Sequence, residues 1–227
     1  MSKNETMLLK NENIKQSNSL CAEDKQTIKD IMKSMSIFRV SSYDAQVIQR
    51  DLIGMAQESR LRNSSLKEVI GDDIKGFTNE IINNSNGPCK TEILLNLLLK
   101  LSGYFFVWFT ALAFGAYGSL SWKANPIIYI YYVGVVLAIF MTEGMITPMF
   151  ITEKGLKRKM QSLVSIAIFA ALTSIVFFLN DSQYTIDFKG GYIIIGSGMV
   201  YLAARYLDLK NTHRLAKEKK NYIQDLE

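Results

Sequence analysis

The chain has 227 residues, a formal net charge of +5 and a mean hydropathy of +0.09. That length holds one or two domains. Two cysteines without a CxxC pair, one histidine, and no GxxxxGK[ST] or GxGxxG motif leave no zinc cluster, no HExxH site, no Ser-His-Asp triad and no phosphate cradle.

The averages conceal a split. Up to residue 92 basic and acidic side chains balance at 13 each, whereas from Ile93 onward 13 basic residues stand against 8 acids. The C-terminal part has long uncharged runs with basic residues at their edges, the composition of membrane spans and their loops. The expected fold is all-α: an N-terminal cytosolic helical bundle followed by a four-helix transmembrane bundle.

Residues 1–22 are polar, rich in Asn and Lys, and lack the apolar stretch of a signal peptide. They read as a flexible tail. Residues 23–85 read as the cytosolic helical domain. Ile28, Ile31, Met32, Met35 and Phe38 recur at helical spacing and predict a helix over 22–40. Ser41 or Ser42 then caps a helix over 43–62, with Asp44 favouring its dipole. Its apolar stripe includes Val47, Ile48, Leu52, Met55 and Ala56. Arg50, Gln57 and Arg60 lie mostly off that stripe and form a candidate partner-binding surface. Ser65 with Glu68 makes a capping box for a short helix ending at Gly71. Asp72 or Asp73 caps a last helix through Phe77, Ile81 and Ile82. Helices this short need one another to be stable in water.

Residues 86–100 form a linker and a juxtamembrane helix. The run ILLNLLL at 93–99 either lies in the headgroup region or couples the domain to the spans. Four membrane helices are predicted within 101–207, at about 101–122, 126–149, 160–179 and 187–207. The last has a short uncharged core, which snorkelling of Lys189 and Arg205 would extend. Residues 208–227 are a basic cytosolic tail. The loop 152–159 holds four basic residues and the tail five more, while the opposite loops hold Lys123 and Lys189 alone. That asymmetry places both termini in the cytoplasm. The two cysteines suit a reducing compartment.

Glu143, inside IFMTEGMITPMF, is the residue with the most to explain. If the second span stops near Thr142 it is interfacial; if the span reaches residue 151 it lies inside and needs a partner, for which Arg205 stands on the same side of the bilayer. Small residues mark candidate helix-packing positions: Ala111 and Gly115, Ala167 and Ala171, and Gly196 with Gly198. No catalytic residue, cofactor site or metal site is discernible. The expected partners are the lipid bilayer, a cytosolic protein and a second copy of the chain. The tail HRLAKEKKNY favours anionic lipid over nucleic acid.

The segment from Ser42-Tyr43-Asp44-Ala45 through Gln57-Glu58, followed by Ser65-Leu66-Lys67-Glu68-Val69-Ile70-Gly71, resembles a small helical domain family of unknown function from Gram-positive bacteria. Its members occur alone or fused to several spans and often accompany PadR-type regulators. The resemblance covers about residues 25–85. It implies a bacterial plasma membrane and a regulatory or interaction role, and it supplies no catalytic residues. The leading expectation is a membrane-anchored regulatory or scaffolding protein acting through protein contacts. The alternative is a subunit of a transporter or channel with Glu143 in the membrane pathway.

Overall fold

The structure is a computed structural model describing residues 5–116, 118–151, 155–179 and 186–224. The fold is helical, with one short ribbon of two strands. It divides into two compact units: Met1–Ile93, Gly144–Lys159 and Asp208–Glu227 in the first, and Leu94–Glu143 and Met160–Leu207 in the second.

The first unit begins with α1, Glu5–Ser17. A helix therefore occupies most of the segment expected to be a flexible tail. Thirteen residues are too few to be stable alone in water, and α1 is held by α3 (Ser42–Leu61). The buried side chain of Asn13 donates to the Gln46 carbonyl at 2.8 Å. Its contact with the unit is polar, so apolar periodicity could not reveal it. The helix α2 spans Ala22–Ser34 and stops six residues short of the expected end. There the Ser34 hydroxyl donates to the Ile31 carbonyl at 2.6 Å, and the Arg39 and Val40 N–H groups turn back to the Ser36 carbonyl. Serines competing for backbone acceptors end the helix, and Phe38 is carried off its axis.

The caps follow the expected local chemistry. Ser41 accepts from the Asp44 N–H at the start of α3. Ser65 and Glu68 close a reciprocal capping box on α4 (Leu66–Ile70), and Gly71 follows at φ +84°. Asp73 accepts from the Gly76 N–H at the start of α5 (Ile74–Asn84). The core gathers Ile28, Ile31, Leu52, Ile53, Ala56 and Leu66, each at most 4% exposed. At such burial a Leu or Ile contributes about 1.5–3 kcal/mol.

In chain order there follow α6 (Lys90–Ala111), a π-helical turn Leu112–Ala116, β1 (Trp122–Ala124), α7 (Ile127–Met141), a second π-helical turn Thr142–Ile146, α8 (Thr147–Phe150), α9 (Leu156–Leu179), β2 (Ile186–Phe188) and α10 (Gly190–Gln224). The first-unit portion of α6 is anchored by buried Glu92. Its carboxylate accepts from the Cys89 N–H at 3.0 Å and from the Ser42 N–H at 3.1 Å, satisfying the first turns of α6 and α3 together. The basic tail expected from residue 208 continues α10 as helix to Gln224.

Two helices, Lys90–Gly115 and Ile127–Phe150, are long and apolar enough to cross a membrane; α9 holds a shorter apolar stretch, Lys159–Ile175. In the second unit β1 and β2 pair antiparallel, Trp122 opposite Phe188 and Lys123 opposite Asp187, where plain loops were expected. The Trp122 indole stacks on Phe109, which also stacks on Tyr129 at 5.3 Å between centroids. Gly190 sits flat against Trp122, and any Cβ there would overlap the indole. Residues 152–154 of the basic loop, and Asp181 of the opposite loop, lie outside the described residues.

Candidate functional site

Glu143 lies in the π-helical turn Thr142–Ile146. A π turn carries more residues than an α turn and recurs at functional positions. The Lys100 ammonium, from α6, forms an ion pair with the Glu143 carboxylate. It also stands over the Phe140 ring, 5.5 Å from its centroid. Glu143, the residue singled out in the sequence, thus has a cationic partner 43 positions away that no local pattern indicated. The Lys100 side chain is 26% exposed and that of Glu143 52%. Two opposite charges in contact cancel at short range, which lowers the cost of placing either in an apolar setting. Arg205, proposed opposite Glu143, is exposed on α10 between buried Ala204 and exposed Tyr206.

The small-residue positions separate into two groups. Gly198 is a contact: a Cβ there would lie 3.4 Å from the Phe106 ring. Its counterpart is Gly103, at the same distance from the Tyr201 ring, a position that sequence spacing missed. α6 and α10 each place an aromatic ring on the other's glycine. Gly115 and Gly196 have nothing near them within 4 Å, and Ala111, Ala167 and Ala171 are exposed. Those five positions remain open faces.

Of the proposed partner-binding residues, Arg50 is exposed and pairs with its neighbour Asp51 at 3.1 Å. Gln57 is exposed. Arg60 is committed to the fold: its Nε donates to Asp24 at 3.3 Å. Asp24 is fully buried and serves three donors. Its Oδ1 accepts from the Leu66 N–H at 3.0 Å, and its Oδ2 from the Cys21 thiol at 3.1 Å as well as from Arg60. Burial alone would raise the Asp24 carboxyl; the bonds from Cys21, Leu66 and Arg60 outweigh it and hold the group below its ordinary value. One carboxylate so ties α2, α3 and α4 together.

Among the described residues no group of three His, Cys, Asp or Glu side chains could hold a metal ion. His213, the single histidine, has a buried Nδ1 without a hydrogen-bond partner among the described residues. Cys89 is exposed just before α6, and its thiol is held below the ordinary value by the Thr91 backbone N–H and hydroxyl. The chain matches no protein-family model, no curated protein and no solved structure.

Proposed function

We propose that this chain is a multi-pass membrane protein with four spans and both termini in the cytoplasm, whose helical domain works by binding a protein partner. One observation carries the membrane part. Only 17% of the most apolar window of Lys90–Gly115, and of Ile127–Phe150, is buried, where the core helix of a water-soluble bundle would be mostly enclosed. Phe114, Ile130, Phe177 and Phe178 are 70–85% exposed. Leaving each in water forgoes about 1.5–3 kcal/mol; hydrocarbon removes that cost. The basic flanks of these helices orient them with the helical domain inside.

The interaction role is supported by the domain's surface. Leu61, at the end of α3, is 87% exposed, and Val69 is 52% exposed on α4. With Gln57 and Arg50 they present mixed apolar and polar contacts of the kind interfaces use. A photo-crosslinking residue placed at Gln57 or Leu61 of the full chain in its native membrane should give one discrete adduct that Leu61→Glu abolishes. A featureless smear at both positions would refute the interaction role, and a reporter fused at either terminus that surfaces outside the cell would refute the topology.

A second reading is supported by the Lys100–Glu143 pair in its π-helical turn. In that reading the chain is part of a transporter or channel, and Glu143 lines the path. Four spans are few for such a task, so an oligomer is implied. Flux into liposomes that Glu143→Gln leaves unchanged would sink it.

A further inference from the structure

A cleft of about 490 Å³ in the first unit has two unlike walls. One carries Arg39 and Lys75, both exposed, with the Arg39 Nη2 donating to the Asn79 carboxamide at 3.2 Å. That bond fixes the guanidinium and occupies one of its five N–H donors. The other wall is apolar. Met145 and Met149 stand one turn apart, 53% and 62% exposed, near the end of the apolar helix Ile127–Phe150. The Phe38 ring rests on Gly144 between the walls, so close that a Cβ would overlap it. No carboxylate lines the cleft.

The volume suits a small-molecule site. Two cations on one side call for an anion, and the geometry of a guanidinium matches phosphate oxygens. A free phosphate would gain nothing from two exposed methionines and a phenylalanine. A phosphate carrying a hydrocarbon chain would use both walls, because flexible thioethers adapt to irregular apolar partners. The cleft also includes the last turns of a helix of spanning length, where headgroups meet hydrocarbon; basic pockets at that depth are known to take anionic lipid headgroups.

We infer that the cleft binds the phosphate headgroup of an anionic phospholipid between Arg39 and Lys75, with an acyl chain along Met145 and Met149. The inference rests on the membrane reading above. Loss of two charge-assisted contacts weakens binding by roughly tenfold each.

The test uses the full chain in detergent, titrated with phosphatidylglycerol and with phosphatidylcholine of the same chain length and read by native mass spectrometry. The wild type should retain phosphatidylglycerol in preference. Arg39→Gln with Lys75→Gln should erase that preference, while Arg50→Gln with Lys67→Gln, equally surface-exposed, should keep it. Met145→Gln with Met149→Gln should weaken both lipids alike. A preference that survives the Arg39/Lys75 change overturns the assignment. So does equal displacement of the lipid by glycerol 3-phosphate, which would mark a soluble phosphate site. Retention of the chain in membranes through an alkaline carbonate wash tests the membrane reading separately: a chain that stays yet shows no lipid preference refutes this inference alone.

Discussion

Replacing Asp24 with Asn keeps the shape of the side chain and removes its charge. In the native domain that carboxylate is fully buried and accepts from the Cys21 thiol, the Leu66 N–H and Arg60. Asn offers one acceptor oxygen and a competing N–H2, so two of the three donors lose their partner. The Leu66 N–H is itself enclosed, as Leu66 is 0% exposed. A buried donor left unsatisfied costs about 1–3 kcal/mol. The Arg60 side chain is 53% exposed, so water compensates most of its loss and it adds little. The expected destabilisation is about 2–3 kcal/mol, which for a domain of this size lowers its melting temperature by roughly 10 °C or more. The pH dependence gives a second reading. The folded carboxyl titrates below its unfolded value of 3.8, so its contribution is complete above that value and is lost as pH falls through the folded one. Hydrogen exchange of α2 and α4 in the detergent-solubilised full chain should therefore accelerate in the wild type between about pH 5 and about pH 3, and the variant should be fast throughout. If Asp24→Asn melts within about 2 °C of the wild type, or if both proteins show the same acid profile, Asp24 does not tie the helices together.

Three further outcomes are expected. Gly144→Ala should destabilise the protein by about 1–3 kcal/mol, because its Cβ would overlap the Phe38 ring; adding Phe38→Ala should remove most of that coupling in a double-mutant cycle of melting temperatures. Lys100→Glu and Glu143→Lys should each lower the yield of folded protein, and the exchanged pair should restore it, since the two charges are each other's partner; failure of the exchange to rescue would remove the pair's structural role. The Cys89 thiol should alkylate with a pH midpoint below that of an ordinary cysteine, and Thr91→Val should move the midpoint upward by removing one of its donors.

What the sequence disclosed was local. Ser41, Ser65 with Glu68, and Asp73 cap helices as their immediate neighbours require, because a cap is a contact within three or four residues. The apolar stripes of α2 and α3 likewise point into the core they share. The helix α1 was invisible because its hold on α3 runs through Asn13, a polar residue whose burial depends on a partner 33 positions away. Lys100 interrupts an apolar run, so taken alone it reads as the boundary before a span; its pairing with Glu143 exists only in three dimensions. The same holds for Arg60, which seemed available for a partner until Asp24 claimed it. The exchange of rings and glycines between Gly103, Tyr201, Gly198 and Phe106 had half its signal in the sequence, as Gly198 was marked by spacing and Gly103 was not.

The widened turn at Thr142–Ile146 has a consequence for how this chain tolerates change in length. An α-helix advances about 100° per residue, so the additional residue in such a turn resets the azimuth of everything after it. Excising one position from 142–146 would convert the segment to regular helix and rotate Met145, Pro148 and Met149 by about that angle, away from Phe38 and α2. Substitutions there are survivable in principle, but a one-residue deletion is a frameshift in space: every later contact of that helix would be made by the wrong side chain.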